Sequence, residues 1–201
     1  MTFAYPVFMD LHNVPVLLVG GGPVASRKGE GLAAAGACLV VVAPEITGAL
    51  VALAAEIRQR SYESSDIAGH QLVITATSDP AVNAQVAADC RTAGIWVNSA
   101  DDPSNCSFIL PAITRAGEVT IAVSTNGSSP GFAGYLRNRC TALLDELNAA
   151  EVAADLAARR AGHHAEGVST ETIDWAPIID EVVADKKQPA DPQLNCDSTS
   201  G

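Results

Sequence analysis

The chain has 201 residues, enough for one domain of ordinary size or one domain with a small appendage, and 48% of them are hydrophobic. Its formal net charge of −11 argues against a general nucleic-acid binder, which needs a basic face to neutralise phosphates. No apolar run reaches the roughly 18 to 20 residues that a membrane-spanning helix needs, and the first residues lack the features of a secretory signal. We therefore expect a cytoplasmic protein that binds no membrane.

The first half of the chain alternates between short apolar runs and segments of helical length. The predicted strands are 14–19, 37–42, 72–76 and 95–98, and the predicted helices are 24–35, 46–55 and 80–93. Proline at the start of a helix and glycine just after its end mark the helix boundaries. Strands that alternate with helices of about ten to fifteen residues predict an α/β fold with a Rossmann-type, doubly wound parallel sheet.

The pattern changes in the second half. Two β-type runs, 108–113 and 119–124, are joined by a turn at 115–118, which predicts a strand pair rather than another crossover helix. Ser129 and Pro130 then begin a helix that runs to about Leu147. The elements expected after it are an alanine-rich helix at 151–161, weaker signals with one apolar stretch near 175–183, and a disordered polar tail from 186.

The first predicted strand runs into a glycine loop, residues 20–25, with the spacing G-x-G-x-x-A. In such a loop Gly20 permits a tight turn, Gly22 lets the backbone approach a pyrophosphate, and the small Ala25 allows close helix–sheet packing. The N-terminus of the following helix then stabilises the anion. The alternative is a purely structural turn, but the position between a buried strand and a helix favours binding of a nicotinamide dinucleotide.

The acidic residue that usually contacts the adenosine ribose is missing from its usual position. The second strand ends at Ala43 and Pro44, and Glu45 comes one position later. Glu45 either contacts the ribose from this shifted position or is a solvated residue at the start of a helix. Since no Arg follows to receive a 2′-phosphate, we predict NAD as the cofactor rather than NADP.

Two carboxylates, Asp101 and Asp102, come just beyond the strand at 95–98. Ligands bind at the carboxyl edge of an open parallel sheet, and a loop carboxylate beside a cofactor is a candidate general base. The alternative is that Asp101 or Asp102 only caps a turn before Pro103.

Six blocks of the sequence, in this order, resemble the precorrin-2 dehydrogenases of siroheme synthesis. The blocks are Val19–Lys28, Gly36–Pro44, Thr75–Asp79, Val97–Pro103, Ser107–Pro111 and Ile121–Pro130. The glycine loop belongs to a whole superfamily, but the blocks at 97–103 and 121–130 together point to this family. The resemblance covers about residues 5 to 145.

The resemblance implies that the chain oxidises precorrin-2 to sirohydrochlorin and passes a hydride to NAD⁺. Some members of the family also insert Fe²⁺ to give siroheme, so ferrous iron is a possible second substrate. The resemblance places the catalytic aspartate at Asp101. The cofactor contacts that it implies are Gly20, Gly22, Pro23, Val24, Pro44, Glu45 and Thr77.

The tetrapyrrole substrate of that family carries eight carboxylates, which helix N-termini and Arg side chains can hold. The expected substrate contacts are Asn98, Ser124, Thr125, Asn126, Gly127, Ser128 and Arg137. Arg137 and Arg139 are two positions apart and lie on different faces of a helix, so we expect one of them to point inward. Arg27 and Lys28 either contact a ligand or are surface charges.

The family also forms homodimers, and the implied organisation has four parts. They are an NAD-binding domain at 1–113, a dimerisation and substrate-binding region at 114–148, a helical region at 149–185 and a tail at 186–201. Residues 149–201 match the family poorly and are strongly acidic, which leaves dimer geometry and iron insertion open. Since the chain ends at Gly201, we expect no methyltransferase domain in it and expect another protein to carry out the upstream methylation.

No metal site is predicted. The five cysteines are widely spaced without a CxxC pair, and the four histidines form no HxxxH pair, so we expect free thiols and structural histidines. Iron insertion requires no permanently bound metal. Two functions other than the dehydrogenase stay open, a regulator that binds a dinucleotide or tetrapyrrole without catalysis and a chelatase without oxidoreductase activity.

Overall fold

A computed structural model describes residues 5–100 and 102–186. They form two compact units that divide between Leu110 and Pro111. Across these two ranges, none of the helices combines the length and the hydropathy required to cross a lipid bilayer.

The first unit contains a five-stranded parallel sheet with the strand order β3-β2-β1-β4-β5. The strands are β1 Pro15–Val19, β2 Cys38–Val42, β3 Glu56–Arg58, β4 Leu72–Thr75 and β5 Trp96–Ser99. The helices are α1 Pro23–Ala34, α2 Gly48–Leu53 and α3 Pro80–Ala93, with 3-10 turns at Ser64–Ile67 and Pro103–Asn105. The order reverses at β1, which has β2 on one side and β4 on the other. The predicted Rossmann-type sheet is confirmed.

The central strands are apolar on both faces because both faces are covered. Val16 and Leu18 of β1 pack in one cluster with α1 and α2, whereas Leu17 and Val19 pack in a second cluster with α3. Each of these four side chains is at most 2% exposed. Burying a side chain of this size contributes about 1.5–3 kcal/mol, so this strand anchors the layers on both sides of the sheet.

Two elements of the first unit differ from the prediction. β3 was not predicted, because a three-residue edge strand with Glu56 and Arg58 at its ends has no apolar run. α2 is shorter than the predicted 46–55. The N–H of Thr47 donates to Gly21 O (3.0 Å) and the N–H of Ala55 donates to Leu39 O (2.8 Å), so the backbone at both ends is already committed to other contacts.

The second unit contains an antiparallel strand pair and three helices. They are β6 Ala112–Ala116, β7 Val119–Val123, α4 Pro130–Glu146, α5 Ala149–Ala165 and α6 Ala176–Lys186, with a 3-10 turn at Thr170–Thr172. α4 packs against both strands, where Thr141 Oγ1 lies 2.8 Å from Thr114 Oγ1. α5 packs against α6, where Arg159 faces Glu181 at 3.4 Å.

The strand pair is confirmed, but the predicted bounds of its first strand were wrong. β6 begins at Ala112 instead of residue 108, and the turn is only Gly117 and Glu118. The reason is that Ser107 already pairs with β5, since its N–H donates to Val97 O (2.8 Å). α5 is longer than the predicted 151–161, the apolar stretch near 175–183 is part of α6, and the predicted tail beyond Lys186 lies outside the described residues.

Candidate functional site

The candidate site begins at the glycine loop, residues 20–25, at the carboxyl end of β1. Gly20 has a φ of +130°, and its N–H donates to Val42 O at 2.9 Å. A Cβ atom at Gly20 would lie 2.5 Å from Ala76 O, a separation that real Cβ atoms essentially never show. Gly20 therefore allows the loop to pass between the ends of β2 and β4.

Gly21 is a second position where a side chain has no room. A Cβ atom there would lie 1.9 Å from Glu45 O. Nearby, the buried Ser26 Oγ lies 2.7 Å from Thr47 Oγ1, which joins α1 to the residue before α2. Sequence reasoning missed Gly21 and Ser26, although the run of three glycines was a signal, since the G-x-G-x-x-A pattern explains only the first and third.

Gly22 faces open space. Among the described residues, a Cβ atom at Gly22 would have nothing within 4 Å, and no side chain caps the helix that starts here. Pro23 is the first residue of α1 and has no N–H, so the N–H groups of Val24 and Ala25 lead the helix. A helix N-terminus with uncapped N–H groups is a site for an anion. The geometry therefore fits a pyrophosphate at Gly22, Pro23 and Val24.

The end of β2 lies beside the end of β3. Pro44 and Glu45 are exposed, and Pro44 O accepts a hydrogen bond from Gln59 Nε2 at 3.3 Å. The strand register pairs Val42 with Arg58, so the residues that follow β3 run alongside those that follow β2. The sequence has no Arg directly after Glu45, but the pairing of β3 with β2 brings Arg58, 13 positions further along the chain, to this edge. The ribose contact of Glu45 stays a prediction.

Asp66 holds the arginines of this edge. It accepts from Arg58 Nη1 (2.9 Å), from both terminal nitrogens of Arg60 (2.5 and 2.7 Å) and from the N–H of Glu63 (2.9 Å). Its side chain is 1% exposed. The hydrogen bond from Arg60, followed by those from Glu63 and Arg58, lowers the pKa of Asp66 to about 2, although desolvation opposes this shift.

Thr77, a predicted cofactor contact, lies in the loop between β4 and α3 and is held there by Asn83. Its Oγ1 lies 2.9 Å from Asn83 Oδ1, accepts from the N–H of Asp79 (3.1 Å) and lies 3.0 Å from Asp79 O. The amide of Asn83 also donates to Thr77 O at 3.1 Å. Asn83 is 8% exposed and was not identified from the sequence. The loop already uses the Thr77 hydroxyl, and its contact with a cofactor stays a prediction.

Asn98, a predicted substrate contact in β5, is part of the framework of the site. It is 5% exposed, its Oδ1 accepts from Lys28 Nζ (3.1 Å), and its Nδ2 donates to Phe108 O (3.0 Å). Lys28 therefore extends from α1 to the last strand of the sheet, which places it among the structural contacts of the site, whereas Arg27 is exposed. A direct contact between Asn98 and substrate stays a prediction.

The loop after β5 carries the two predicted carboxylates. Asp101 lies outside the described residues. Asp102 caps the following 3-10 turn, accepting from the N–H of Ser104 (3.1 Å) and from Asn105 Nδ2 (2.7 Å). Ser104 Oγ also donates to Asp102 Oδ1, and this hydrogen bond, followed by that from Asn105, lowers the pKa of Asp102. Asp102 therefore fits the alternative given above, in which one of the two carboxylates caps a turn.

The buried Cys106 contacts both ends of the same loop. Its Sγ accepts from the N–H of Ser99 at 3.1 Å and lies 3.3 Å from Asp102 O. The side chain is buried, and burial raises the pKa of its thiol. Sequence reasoning treated this cysteine only as a free thiol and missed its place in the loop.

The other predicted substrate loop, residues 124–129, lies in the second unit and is built from its own hydrogen bonds. Thr125 Oγ1 donates to Ser129 O (3.0 Å) and accepts from the N–H of Ser129 (3.1 Å). Ser128 Oγ donates to Thr125 O, and Ser124 Oγ accepts from the N–H of Asn126. The loop therefore uses several of the hydroxyls that we predicted for substrate.

The backbone and the helix after this loop keep other polar groups available. Asn126 and Gly127 have φ values of +53° and +79°. No side chain of the described residues caps α4. Its first N–H groups can therefore donate hydrogen bonds to an anion, as those of α1 can. On α4, Arg137 is half-buried and donates from Nε to Asn138 Oδ1 (2.8 Å), whereas Arg139 is exposed. The substrate contacts of this region stay predictions.

In the part of the chain that the structure describes, no three or more His, Cys, Asp and Glu side chains are grouped so that they could hold a metal ion.

Comparisons with known proteins give a consistent set of relatives. Residues 7–112 match the profile of a family described as "Putative NAD(P)-binding". The siroheme synthase of Pseudomonas putida (strain W619) is 46% identical over 136 residues, which are 66% of this chain and 29% of that protein. The siroheme synthase of Methylococcus capsulatus (strain ATCC 33009 / NCIMB 11132 / Bath) is 42% identical over 160 residues, 77% of this chain and 34% of that protein.

A solved structure, SirC, precorrin-2 dehydrogenase, aligns with a TM-score of 0.71 and 25% sequence identity, over 90% of this chain and 98% of that one. The coverage of the curated relatives is different, since the chain spans only about 30% of the length of the siroheme synthases that it matches.

Proposed function

The chain belongs to the NAD(P)-binding family that its residues 7–112 match, and from this premise we propose that it oxidises precorrin-2 to sirohydrochlorin with NAD⁺ as hydride acceptor. Its resemblance to proteins of siroheme synthesis is confirmed by siroheme synthases at 40–46% identity. The observation that carries the proposal is the glycine loop, where Gly22 and the N-terminus of α1, which no described side chain caps, leave room for a pyrophosphate.

The chain's own residues have distinct parts in this proposal. Gly22 and the N–H groups of Val24 and Ala25 hold the pyrophosphate, and Pro44 and Glu45 border the adenosine ribose. When bound, the nicotinamide ring accepts the hydride. NAD is proposed over NADP because Glu45 is acidic and because Asp66 pairs with the arginines of this edge.

Asp101 is proposed as the acid–base residue, on the basis of the family resemblance. It takes the proton that leaves the tetrapyrrole as the hydride departs, so that two electrons and two hydrogens are removed in all. The substrate's carboxylates are proposed to bind the N-terminus of α4, Asn126, Gly127 and Arg137, where backbone N–H groups and a guanidinium match their charge.

A homodimer is proposed through α4. Its residues Phe132, Tyr135 and Leu143 are 49–59% exposed, and the rings of Phe132 and Tyr135 stack with centroids 6.2 Å apart. Exposed apolar residues along one helix are typical of a surface that a second chain covers. Sedimentation of the purified protein tests this directly, because Tyr135→Ser should shift a dimer towards monomer and a monomeric native protein would contradict it.

The function is tested with purified protein, precorrin-2 and NAD⁺. We expect NADH absorbance to appear together with the changed tetrapyrrole spectrum. Asp101→Asn should lower the rate by about a hundredfold or more, the range typical of a lost acid–base group, while NAD⁺ binding persists. Asp102→Asn is the matched control, because Asp102 caps a turn and its loss should leave most of the rate.

Absence of turnover by folded protein would contradict the dehydrogenase, and an unchanged rate in Asp101→Asn would remove Asp101 from the mechanism. Iron insertion is tested separately, by supplying sirohydrochlorin and Fe²⁺ without NAD⁺ and following the siroheme spectrum. Binding without turnover would instead favour the regulator.

A further inference from the structure

Two arginines lie beside the edge of the sheet where the adenosine ribose is proposed to bind. The N–H of Ala43 donates to Arg58 O (3.3 Å), and Gln59 Nε2 donates to Pro44 O (3.3 Å). The chain after β3 therefore runs next to the chain after β2. In Rossmann-type domains the end of β2 is where a ribose 2′-hydroxyl is distinguished from a 2′-phosphate, usually by an acidic residue or by an Arg.

Both arginines are already engaged by carboxylates. Arg58 Nε bonds Glu56 (2.7 Å) and its Nη1 bonds Asp66 (2.9 Å). Arg60 places its two terminal nitrogens on the two oxygens of Asp66, at 2.5 and 2.7 Å, which is the bidentate geometry that a phosphate would otherwise accept. Asp66 is the carboxylate that these two cations share.

Asp66 can hold this arrangement because its own position is fixed. Its side chain is 1% exposed, against 27% for Arg58 and 39% for Arg60. The N–H of Glu63 donates to Asp66 Oδ2 (2.9 Å) within the capping box of the 3-10 turn Ser64–Ile67. The buried anion therefore orients the two more exposed cations.

The segment that forms this edge is acidic overall. Residues 43–66 contain two basic residues, Arg58 and Arg60, and four acidic residues, Glu45, Glu56, Glu63 and Asp66, which gives a net charge of −2. The 2′-phosphate of NADP carries close to two negative charges and needs Arg groups that are not already neutralised. The segment would thus repel it, although two arginines are present.

We infer that Asp66 sets the choice between NAD and NADP, by neutralising and orienting two arginines that would otherwise attract a 2′-phosphate. The inference rests on the proposed function, since it concerns the same dinucleotide site. It assigns Asp66 a role in cofactor selectivity through Arg58 and Arg60, without contact between Asp66 and the cofactor.

The test is the ratio of the dissociation constants of NADP⁺ and NAD⁺, measured by titration calorimetry on the full chain. Asp66→Asn keeps the shape of the side chain and removes its charge. We expect the ratio to fall by about tenfold, because the negative charge that neutralises Arg58 and Arg60 is lost and the two guanidinium groups can then attract the 2′-phosphate. The change should shrink at high salt, since the affected groups are partly exposed. Asp89→Asn is the matched control, because it removes a carboxylate that bonds Tyr62 Oη instead, and the ratio should not change.

Arg60→Gln is a second variant that disturbs the buried carboxylate less, because Arg58 remains paired with it. It makes the edge more negative, so NADP⁺ should bind more weakly relative to NAD⁺ and the ratio should rise. Folded Asp66→Asn with an unchanged ratio would overturn the inference, as would Arg60→Gln with no effect if Asp66→Asn fails to fold. A native protein that binds neither dinucleotide would overturn the proposed function and this inference together. If the native protein binds NAD⁺ but Asp66→Asn leaves the ratio of the two dissociation constants unchanged, only the inference is overturned.

Discussion

The glycine loop at 20–25 and the loop at 124–129 are held in place by different kinds of interaction. Each leads from a strand into a helix whose first residue is proline, and within the described residues neither helix has a side-chain cap. The glycine loop is held by residues distant in sequence, such as Ala76 and Glu45, which leave no room for a Cβ atom. The other loop is held by its own hydroxyl groups. The first therefore depends on steric fit and the second on individual hydrogen bonds.

Gly21→Ala should break the steric arrangement most strongly. The new Cβ would lie 1.9 Å from Glu45 O, so the backbone of one loop must move. We expect a loss of about 3 kcal/mol in the free energy of unfolding, at the upper end of what overpacking costs. Urea unfolding followed by circular dichroism measures it, and a cost near zero would show that the two loops do not need this close approach.

Gly22→Ala should separate binding from stability within the same loop. The new Cβ meets no atom of the described residues within 4 Å, so stability should change little, but it would occupy the space proposed for the pyrophosphate. We expect NAD⁺ affinity to fall by about a hundredfold, equivalent to losing one or two charge-assisted hydrogen bonds. Gly31→Ala, within the helix that follows, is the control, since its Cβ would also have no described atom within 4 Å. Unchanged NAD⁺ affinity in Gly22→Ala would remove the loop from the cofactor site.

Low pH should reduce the stability contributed by the ion pairs next to β3 more than that contributed by the hydrogen bonds of the loop at 124–129. The pKa of Asp66 is about 2 in the folded protein, below its ordinary value of 3.8. Its contribution is therefore present above about pH 4 and is lost as the pH falls towards 2. The free energy of unfolding should fall by about 2 kcal/mol over this range. Urea titrations at each pH measure the change, and Asp66→Asn should remove that part of it. An identical pH dependence in the variant would contradict the assignment.

Thr125→Val should have the smallest effect, because it removes hydrogen bonds without a steric clash. Thr125 Oγ1 donates to Ser129 O and accepts from the N–H of Ser129. Losing this pair should cost about 1 kcal/mol and raise the amide exchange rate of Ser129. Thr120→Val, the same change on β7, is the control. If Ser129 exchanges as slowly in Thr125→Val as in the native protein, the loop does not depend on this hydroxyl.

Local patterns were sufficient to predict most of the sheet and the start of the candidate site. Apolar runs of strand length marked β1, β2 and β4, because strands buried on both faces are apolar throughout, and the shorter run at 95–97 marked β5 at the end of the sheet. They could not mark β3, whose pairing with β2 depends on the backbone rather than on an apolar pattern. The same limit explains the misplaced start of β6, since Ser107 pairs with Val97 ten residues away.

The sequence by itself determined the Rossmann-type sheet, the glycine loop, the strand pair and the resemblance to siroheme-synthesis proteins. Only the tertiary structure decided that Gly21 needs to be glycine, that Lys28 reaches Asn98 across 70 positions, and that Arg58 lies beside the end of β2. The physical reason is the separation along the chain of the residues that interact. Periodicity, capping and turn preferences act between residues close in sequence, whereas steric fit and charge pairing act between neighbours in space that folding alone brings together.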